Sequence, residues 1–217
     1  MEKDVACAEL LGILCGDGCL SNSSVQVKYF IYCSGNKLKD ADYFKRYVPY
    51  LFCKVFGKRV VAKERTDENT VYIKFSDKLL FSRLHKLGLP VGYKYDKLKI
   101  PPFVNKSKAR QLVFIRGLFD TDGCVVLSKQ HRTFAYYPRI EICSKSFHFL
   151  SSILAILRRN DFFGSLSKQG KGYYRMELPG FENLKRWLFL IGTSNKRNLL
   201  KFEQASKTYL NASKVNE

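Results

Sequence analysis

Residues 10–18 read LLGILCGDG, and residues 115–123 read IRGLFDTDG. Each is an apolar run with small residues four positions apart, Gly12 and Gly16 in the first, Gly117 and Thr121 in the second. Each closes on an acid and a glycine, Asp17-Gly18 and Asp122-Gly123, followed by a cysteine and an aliphatic residue. Small residues at that spacing share one helix face and let two helices pack with their backbones nearly touching. Two such helices side by side bring Asp17 and Asp122 together at one end. A carboxylate there opposes the helix dipole, and two of them repel until one is protonated or a cation sits between them. The chain makes this unfavourable choice twice, which predicts a shared divalent-metal site of oxygen ligands suited to Mg²⁺. The plainer reading of either motif alone is a helix ended by a left-handed glycine at Gly18 or Gly123; the repetition argues against it.

The 217 residues suffice for a buried core, and a hydrophobic content of 46% says globular. Lys and Arg number 38 against 19 Asp and Glu, a formal charge of +19 and a pI near 9.7. Such a field attracts polyanions, and nucleic acid is the expected partner. No apolar stretch is long enough to span a bilayer, no basic amphipathic helix suggests a membrane surface, and the N-terminus lacks a signal-peptide pattern. The expected location is therefore the cytoplasm of an archaeal or bacterial cell, or an organelle if the host is eukaryotic. The seven cysteines contain no CxxC pair, so zinc is not expected. Most are expected to be reduced core residues, with Cys19 matching Cys124 and Cys33 roughly matching Cys143. His85, His131 and His148 have no metal-ligand spacing.

The periodicities repeat as well. Asp4 is a candidate N-cap, and Val5 to Gly16 reads as a buried helix. A polar turn, Ser21 to Ser24, precedes a strand with Val25, Val27, Tyr29 and Ile31 on one face and Gln26, Lys28, Phe30 and Tyr32 on the other. Lys39 to Phe56 has helical spacing and stops at Gly57. Arg59 to Arg65 and Thr70 to Phe75 alternate and form a hairpin through Asp67-Glu68-Asn69. A short helix follows from Lys78 to Leu87. In the second half, Ala109 to Thr121 is helix, Val125 to Lys129 and Arg139 to Lys145 are strands, and Phe147 to Asn160 is helix. A hairpin turns around Gly170-Lys171-Gly172, and helices cover Phe181 to Ile191 and Leu199 to Leu210. Helix, strands, helix, strands, helix, twice over, is an α+β pseudo-dimer of αββαββα repeats. The boundaries read as a first repeat over 1–90, a linker over 91–108, and a second repeat with a C-terminal helical extension over 109–217.

Antiparallel ribbons can enter the major groove, and the non-core faces carry suitable groups. In the first half these are Gln26, Lys28, Tyr32, Arg59, Lys63, Arg65, Tyr72 and Lys74. In the second they are Lys129, Gln130, Arg132, Tyr137, Arg139, Glu141, Ser165, Ser167, Tyr173, Arg175 and Glu177. A solvated outer sheet face is the alternative for any one of them.

The two motifs resemble those of the LAGLIDADG homing endonucleases. Leu10 to Gly18 matches at both glycines, the aliphatics and the final acid, with Cys15 in place of the earlier acid; Ile115 to Gly123 keeps that acid as Asp120. Two motifs on one chain look like the monomeric branch, of the kind encoded in archaeal rRNA introns. The resemblance implies a saddle of two antiparallel DNA-binding sheets and a monomer that needs no protein partner. It implies metal-dependent double-strand cleavage of duplex DNA at a long asymmetric site, in the service of intron homing. It makes Asp17 and Asp122 catalytic metal ligands, with the carbonyls of Gly16 and Thr121 completing the set. It implies Mg²⁺, with Mn²⁺ substituting and Ca²⁺ binding without supporting cleavage. The family often places a Lys near the scissile phosphate, and Lys145, at the end of its strand, matches; the first half has none there, so Lys28 or Lys37 would substitute, or that half works without one. The alternative function is an RNA maturase or a non-catalytic nucleic-acid binder on the same scaffold.

Overall fold

The computed structural model describes residues 1–23, 28–129 and 136–214. Gln26, Gln130 and Arg132, proposed above to face DNA, and His131 lie outside the described residues. The first half runs α1 (Lys3–Asp17), β1 (Gly18–Ser23), β2 (Lys28–Asn36), α2 (Lys37–Asp42), a π turn (Tyr43–Tyr47), α3 (Val48–Phe56), β3 (Lys63–Glu64), β4 (Thr70–Ser76) and α4 (Lys78–Lys86). The second runs α5 (Lys108–Asp122), β5 (Gly123–Ser128), β6 (Tyr137–Ser144), α6 (Phe147–Arg158), β7 (Ser165–Lys168), β8 (Tyr174–Pro179), α7 (Phe181–Leu190) and α8 (Lys196–Lys214). Among the described residues the strands form two four-stranded antiparallel sheets with the same order, β1-β2-β4-β3 and β5-β6-β8-β7.

Three local expectations change. Ser21 lies inside β1, paired with Phe30, and is not part of a turn: Leu20 packs into the core and carries the chain straight out of α1 into the sheet. The helix expected over Lys39–Phe56 is broken by the π turn. Pro49 sits in the first turn of α3 and has no N–H to give the preceding turn, so the ladder there loosens. The hairpin of the first half pairs only Lys63 and Glu64 with β4, which leaves Arg59 outside any strand. At the N-terminus Glu2 occupies the cap position, without a side-chain bond, and Asp4 sits in the first turn paired with Arg110.

α1 and α5 pack along the axis relating the halves, and their glycines explain the approach. A Cβ on Gly12 would collide with the carbonyl oxygen of Phe114 and lie 3.0 Å from the Leu118 nitrogen. A Cβ on Gly117 would collide with the carbonyl oxygen of Glu9 and lie 3.0 Å from the Ile13 nitrogen. The two collisions are reciprocal, as a twofold demands. Gly16 faces the Thr121 side chain, whose hydroxyl a Cβ there would strike. Gly18 and Gly123 are extended, with φ −91° and −103°, so neither is a left-handed cap. They are glycines because a Cβ would strike the backbone of Leu14 and of Phe119. A buried ionic cluster ties the pair to its neighbours. Glu9, fully buried, receives bonds from Arg116 (2.6 and 2.9 Å), Tyr47 (2.9 Å) and Ser194 (3.0 Å).

Candidate metal centre and nucleic-acid interface

Each motif helix delivers its acid at its last residue because the next residue must turn into a strand. The helix pairing brings the two acids together: a Cβ on Gly16 would stand 3.3 Å from Asp122 Oδ2. Burial pushes Asp17 up to about 6; Lys94 and Arg197 pull it down and Asp40 pushes it further up. Burial, then the charge of Asp17, pushes Asp122 up to about 7, against Lys94 and Arg197. Asp122 is exposed and lines an open cavity of about 900 Å³ between α2 and α8, so water reaches its carboxylate. Two acids that hold protons near neutrality form a site short of positive charge.

Two cations reach that site from places the sequence did not suggest. Lys94, in the connector between the halves, donates to the Gly16 carbonyl and, at 2.8 Å, to the Gly18 carbonyl. Its backbone approach follows from the connector lying beside β1, where Val91 bridges Leu20 and the Gly92 N–H meets the Leu20 carbonyl at 2.8 Å. Arg197, at the start of α8, donates to the Asp120 carbonyl (3.2 Å), the Thr121 carbonyl (3.4 Å) and Asp40 (3.2 Å). The carbonyls of Gly16 and Thr121, named above as metal ligands, thus each already meet a positive side chain. Nothing in the chain order pointed to either; until the fold closes, Lys94 is one of several connector lysines and Arg197 one of several basic residues at the start of α8.

The oxygen set of Asp17, Asp122 and the two carbonyls has the hardness Mg²⁺ and Ca²⁺ prefer, and the ammonium of Lys94 marks the place as one that takes a cation. Among the described residues no cluster of three or more His, Cys, Asp or Glu side chains could hold a metal, so a metal here would rest on two carboxylates, carbonyls, water and substrate oxygens. Asp120 has a different task. It accepts from Thr193, from the Ser194 N–H (2.7 Å) and from Asn198 (3.3 Å), anchoring the loop that carries Arg197. Cys15, buried, occupies its place in the first half.

Lys145 stands between the rings of Tyr95 and Tyr173, 5.2 and 5.1 Å from their centroids. The cations that bear on Asp122 are Lys94 and Arg197. In the first half neither Lys28 nor Lys37 takes the equivalent place. Lys28 is exposed at the far end of β2, paired with Ser23, and Lys37 donates to the Arg65 carbonyl at 3.1 Å.

The outer sheet faces carry most of the residues proposed to meet DNA. Tyr32, Tyr72, Lys74 and Lys63 share the first sheet's outer face, with Ile31, Cys33, Val71 and Ile73 on the core side. Arg139, Glu141, Arg175, Glu177, Ser165 and Ser167 share the second, with Ile140, Ile142, Met176 and Leu178 inside. Tyr137 begins β6 against Phe181, Tyr173 precedes β8, and exposed Lys129 follows β5. The cysteine correspondence is corrected by register. Gly18 pairs with Cys33 and Gly123 with Ile142, so Cys143 is one residue out of step and faces outward. All seven cysteines are free; Cys7, Cys15 and Cys33 are buried, and Cys53, Cys124 and Cys143 are exposed, against the expectation that most belong to the core.

No helix among the described residues is long and apolar enough to cross a membrane. Comparison with known proteins agrees with this geometry. The family model of a LAGLIDADG-like domain matches residues 109–192. The chain is 27% identical over 208 residues to the replication factor C small subunit of Methanocaldococcus jannaschii, a match covering 92% of the chain and 10% of that protein. The chain thus spans about a tenth of that relative's length. It is similar in structure to the homing endonuclease I-DmoI in complex with DNA and Mn, with TM-score 0.63 and 14% identity over 89% of this chain and 99% of that one. It is similar also to I-SmaMI bound to an uncleaved DNA target with calcium, with TM-score 0.64 and 10% identity over 99% and 92%. Residues 109–192 match the LAGLIDADG-like domain model, and the two halves together have the α+β fold of the homing endonuclease I-DmoI.

Proposed function

We propose that the protein is a sequence-specific DNA endonuclease that makes a metal-dependent double-strand break at a long asymmetric site, as in intron homing. The observation that carries this reading is the meeting of Asp17 and Asp122 at the glycine-paired helix ends, beside two sheets whose outer faces carry polar and charged side chains. A pure binder has no need of two acids placed so that the charge of Asp17 raises the proton affinity of Asp122. Asp17, Asp122 and the carbonyls of Gly16 and Thr121 would hold Mg²⁺, which when bound makes water acidic and relieves charge at a phosphate. Similar folds have been solved with Mn, Mg and Ca, which supports use of a divalent cation.

The chain's own groups act around that centre. Lys94 and Arg197 favour the ionised carboxylates and offer positive charge to a phosphodiester. Lys145, held by two tyrosines, adds a cation from the second sheet. Duplex DNA would lie along both sheets, one half-site on each, with one chain spanning the site.

The test is a cleavage selection on a randomised or host-derived DNA library with Mg²⁺, repeated with Asp17→Asn and Asp122→Asn. Each substitution should abolish double-strand cleavage and leave specific binding largely intact. Cutting of both strands at near wild-type rate by either variant would refute the metal-site assignment. Full biological activity without the acids would favour the maturase or binder.

A further inference from the structure

The two sheets hold four equivalent positions with opposite chemistry. In the second sheet Glu141 pairs across to Cys124 on one side and to Glu177 on the other. In the first sheet Tyr32 pairs to Cys19 and to Lys74. Two residues along the strands, Arg139 and Arg175 stand where Phe30 and Tyr72 stand. The register is the same in both halves, so the quartets Phe30, Tyr32, Tyr72, Lys74 and Arg139, Glu141, Arg175, Glu177 present themselves at matching places.

The second quartet is a checkerboard of charge. Glu141 and Glu177 are directly opposite, an unfavourable pairing of like charges. Each is approached by both arginines: Arg139 at 3.7 and 3.4 Å, Arg175 at 3.7 and 3.5 Å. These distances are long beside the 2.7–2.9 Å or so of a good charge-assisted bond. Glu141 is only 8% exposed. Its Oε1 and the Nε atoms of Arg139 and Arg175 are buried with no hydrogen-bond partner among the described residues. Buried groups left without partners are costly, so the four side chains are held by one another only through long contacts.

The first quartet contains no acid. Tyr32 and Tyr72 stack with centroids 6.1 Å apart, Lys74 lies 4.8 Å over the Phe30 ring, and the guanidinium of Arg65 lies 5.8 Å over Tyr72. Its surface is aromatic with cations laid on the rings. It offers apolar ring faces together with the hydroxyls of Tyr32 and Tyr72 and the ammonium of Lys74, and no carboxylate to accept from a cytosine amino group.

We infer that the two half-sites differ in base composition, and that these quartets set the difference; the inference rests on the DNA-cleaving reading above. The second sheet takes G·C pairs. Arg139 and Arg175 donate to guanine O6 and N7, and Glu141 accepts from the cytosine amino group. The first sheet takes A·T pairs, its rings against thymine methyl groups. The target therefore runs from an A·T-rich half under the first sheet to a G·C-rich half under the second.

The experiment is a binding selection with the full chain and Ca²⁺ on a duplex library randomised across the whole site, run for the wild type, Glu141→Gln, Arg175→Lys and Tyr72→Ala. Glu141→Gln and Arg175→Lys nearly preserve shape, and a thermal melt verifies that each variant folds. The wild type should enrich sites with G·C in one half and A·T in the other. Glu141→Gln and Arg175→Lys should reduce base preference about tenfold or more at one or two positions of the G·C half and leave the other half unchanged. Tyr72→Ala should act only on the A·T half. Halves of equal composition would overturn the inference. So would an equal weakening of all sequences by Glu141→Gln and Arg175→Lys, which would make the quartet a lattice that merely holds the sheet. Enrichment of no site at all would remove the DNA-reading proposal itself, an outcome distinct from both.

Discussion

At the residue scale, the chemistry turns on protons shared between Asp17 and Asp122. Both stand above the ordinary aspartate value of 3.8, at about 6 and about 7, chiefly through burial. The metal-free folded protein therefore binds more protons than the unfolded chain between about pH 4 and 7, and its stability should fall as pH rises through that window. Asp122→Asn should flatten the fall and raise the melting temperature of the metal-free protein at pH 8, read by thermal melts across pH. An unchanged profile would place both acids in open solvent. The same reasoning makes metal binding release protons below about pH 7, measurable by calorimetry in buffers of different ionisation enthalpy. The lysines separate by position. Lys145→Ala should slow single-turnover cleavage about ten- to a thousandfold, more than it weakens binding, because a positioned cation stabilises developing charge. Unchanged rates would leave Lys145 as a strut between Tyr95 and Tyr173.

At the element scale, the α1–α5 pair decides whether the acids meet at all. Gly12→Ala or Gly117→Ala puts a methyl group onto a carbonyl oxygen of the facing helix, and neither backbone can yield without moving the acids apart. Each should cost about 1–3 kcal/mol or more and depress cleavage beyond its effect on stability. Urea denaturation measures the first, and cleavage at saturating metal the second. Gly170→Ala is the control, since nothing lies within 4 Å of its missing Cβ. A Gly12→Ala variant as stable as the Gly170→Ala variant would mean that the helices pack less closely than described. The loop from Thr193 to Asn198 plays the matching role for Arg197. Asp120, Asp40 and Asn195 hold it in place through buried bonds, so the second half positions its cation with a carboxylate that the first half lacks.

At the scale of the molecule, the two halves lie on one chain and pair through their own helices, so one chain should span one target site. Sedimentation of the complex should show a single chain per duplex, with a footprint of about two helical turns. Binding should weaken steeply with salt, because phosphates neutralised by part of the +19 excess release their counterions. With roughly six to ten phosphate contacts, affinity should fall about 10³- to 10⁵-fold between 50 and 200 mM salt. A two-chain complex on a palindrome would refute intramolecular pairing. A shallow salt slope would mean that the lysines of the outer faces do not reach the backbone.

The sequence alone determined whatever repeats or alternates: the paired motifs, the acids at their ends, the inward and outward faces of β2, β4, β6 and β8, and the basic surface. These depend on neighbours within a few residues and on the period of the backbone. The π turn was also within reach, since Pro49 lies inside the run taken for one helix. Only the tertiary structure decided the rest. Lys94 reaches the first motif because the connector runs beside β1, parallel to it. Arg197 reaches the second because Asp120 and Asp40 trap its loop, and Cys143 differs from Cys33 because register moves it by one residue. Contacts between residues far apart in the chain leave no periodic trace, and a one-residue shift in a strand reverses the face a side chain presents.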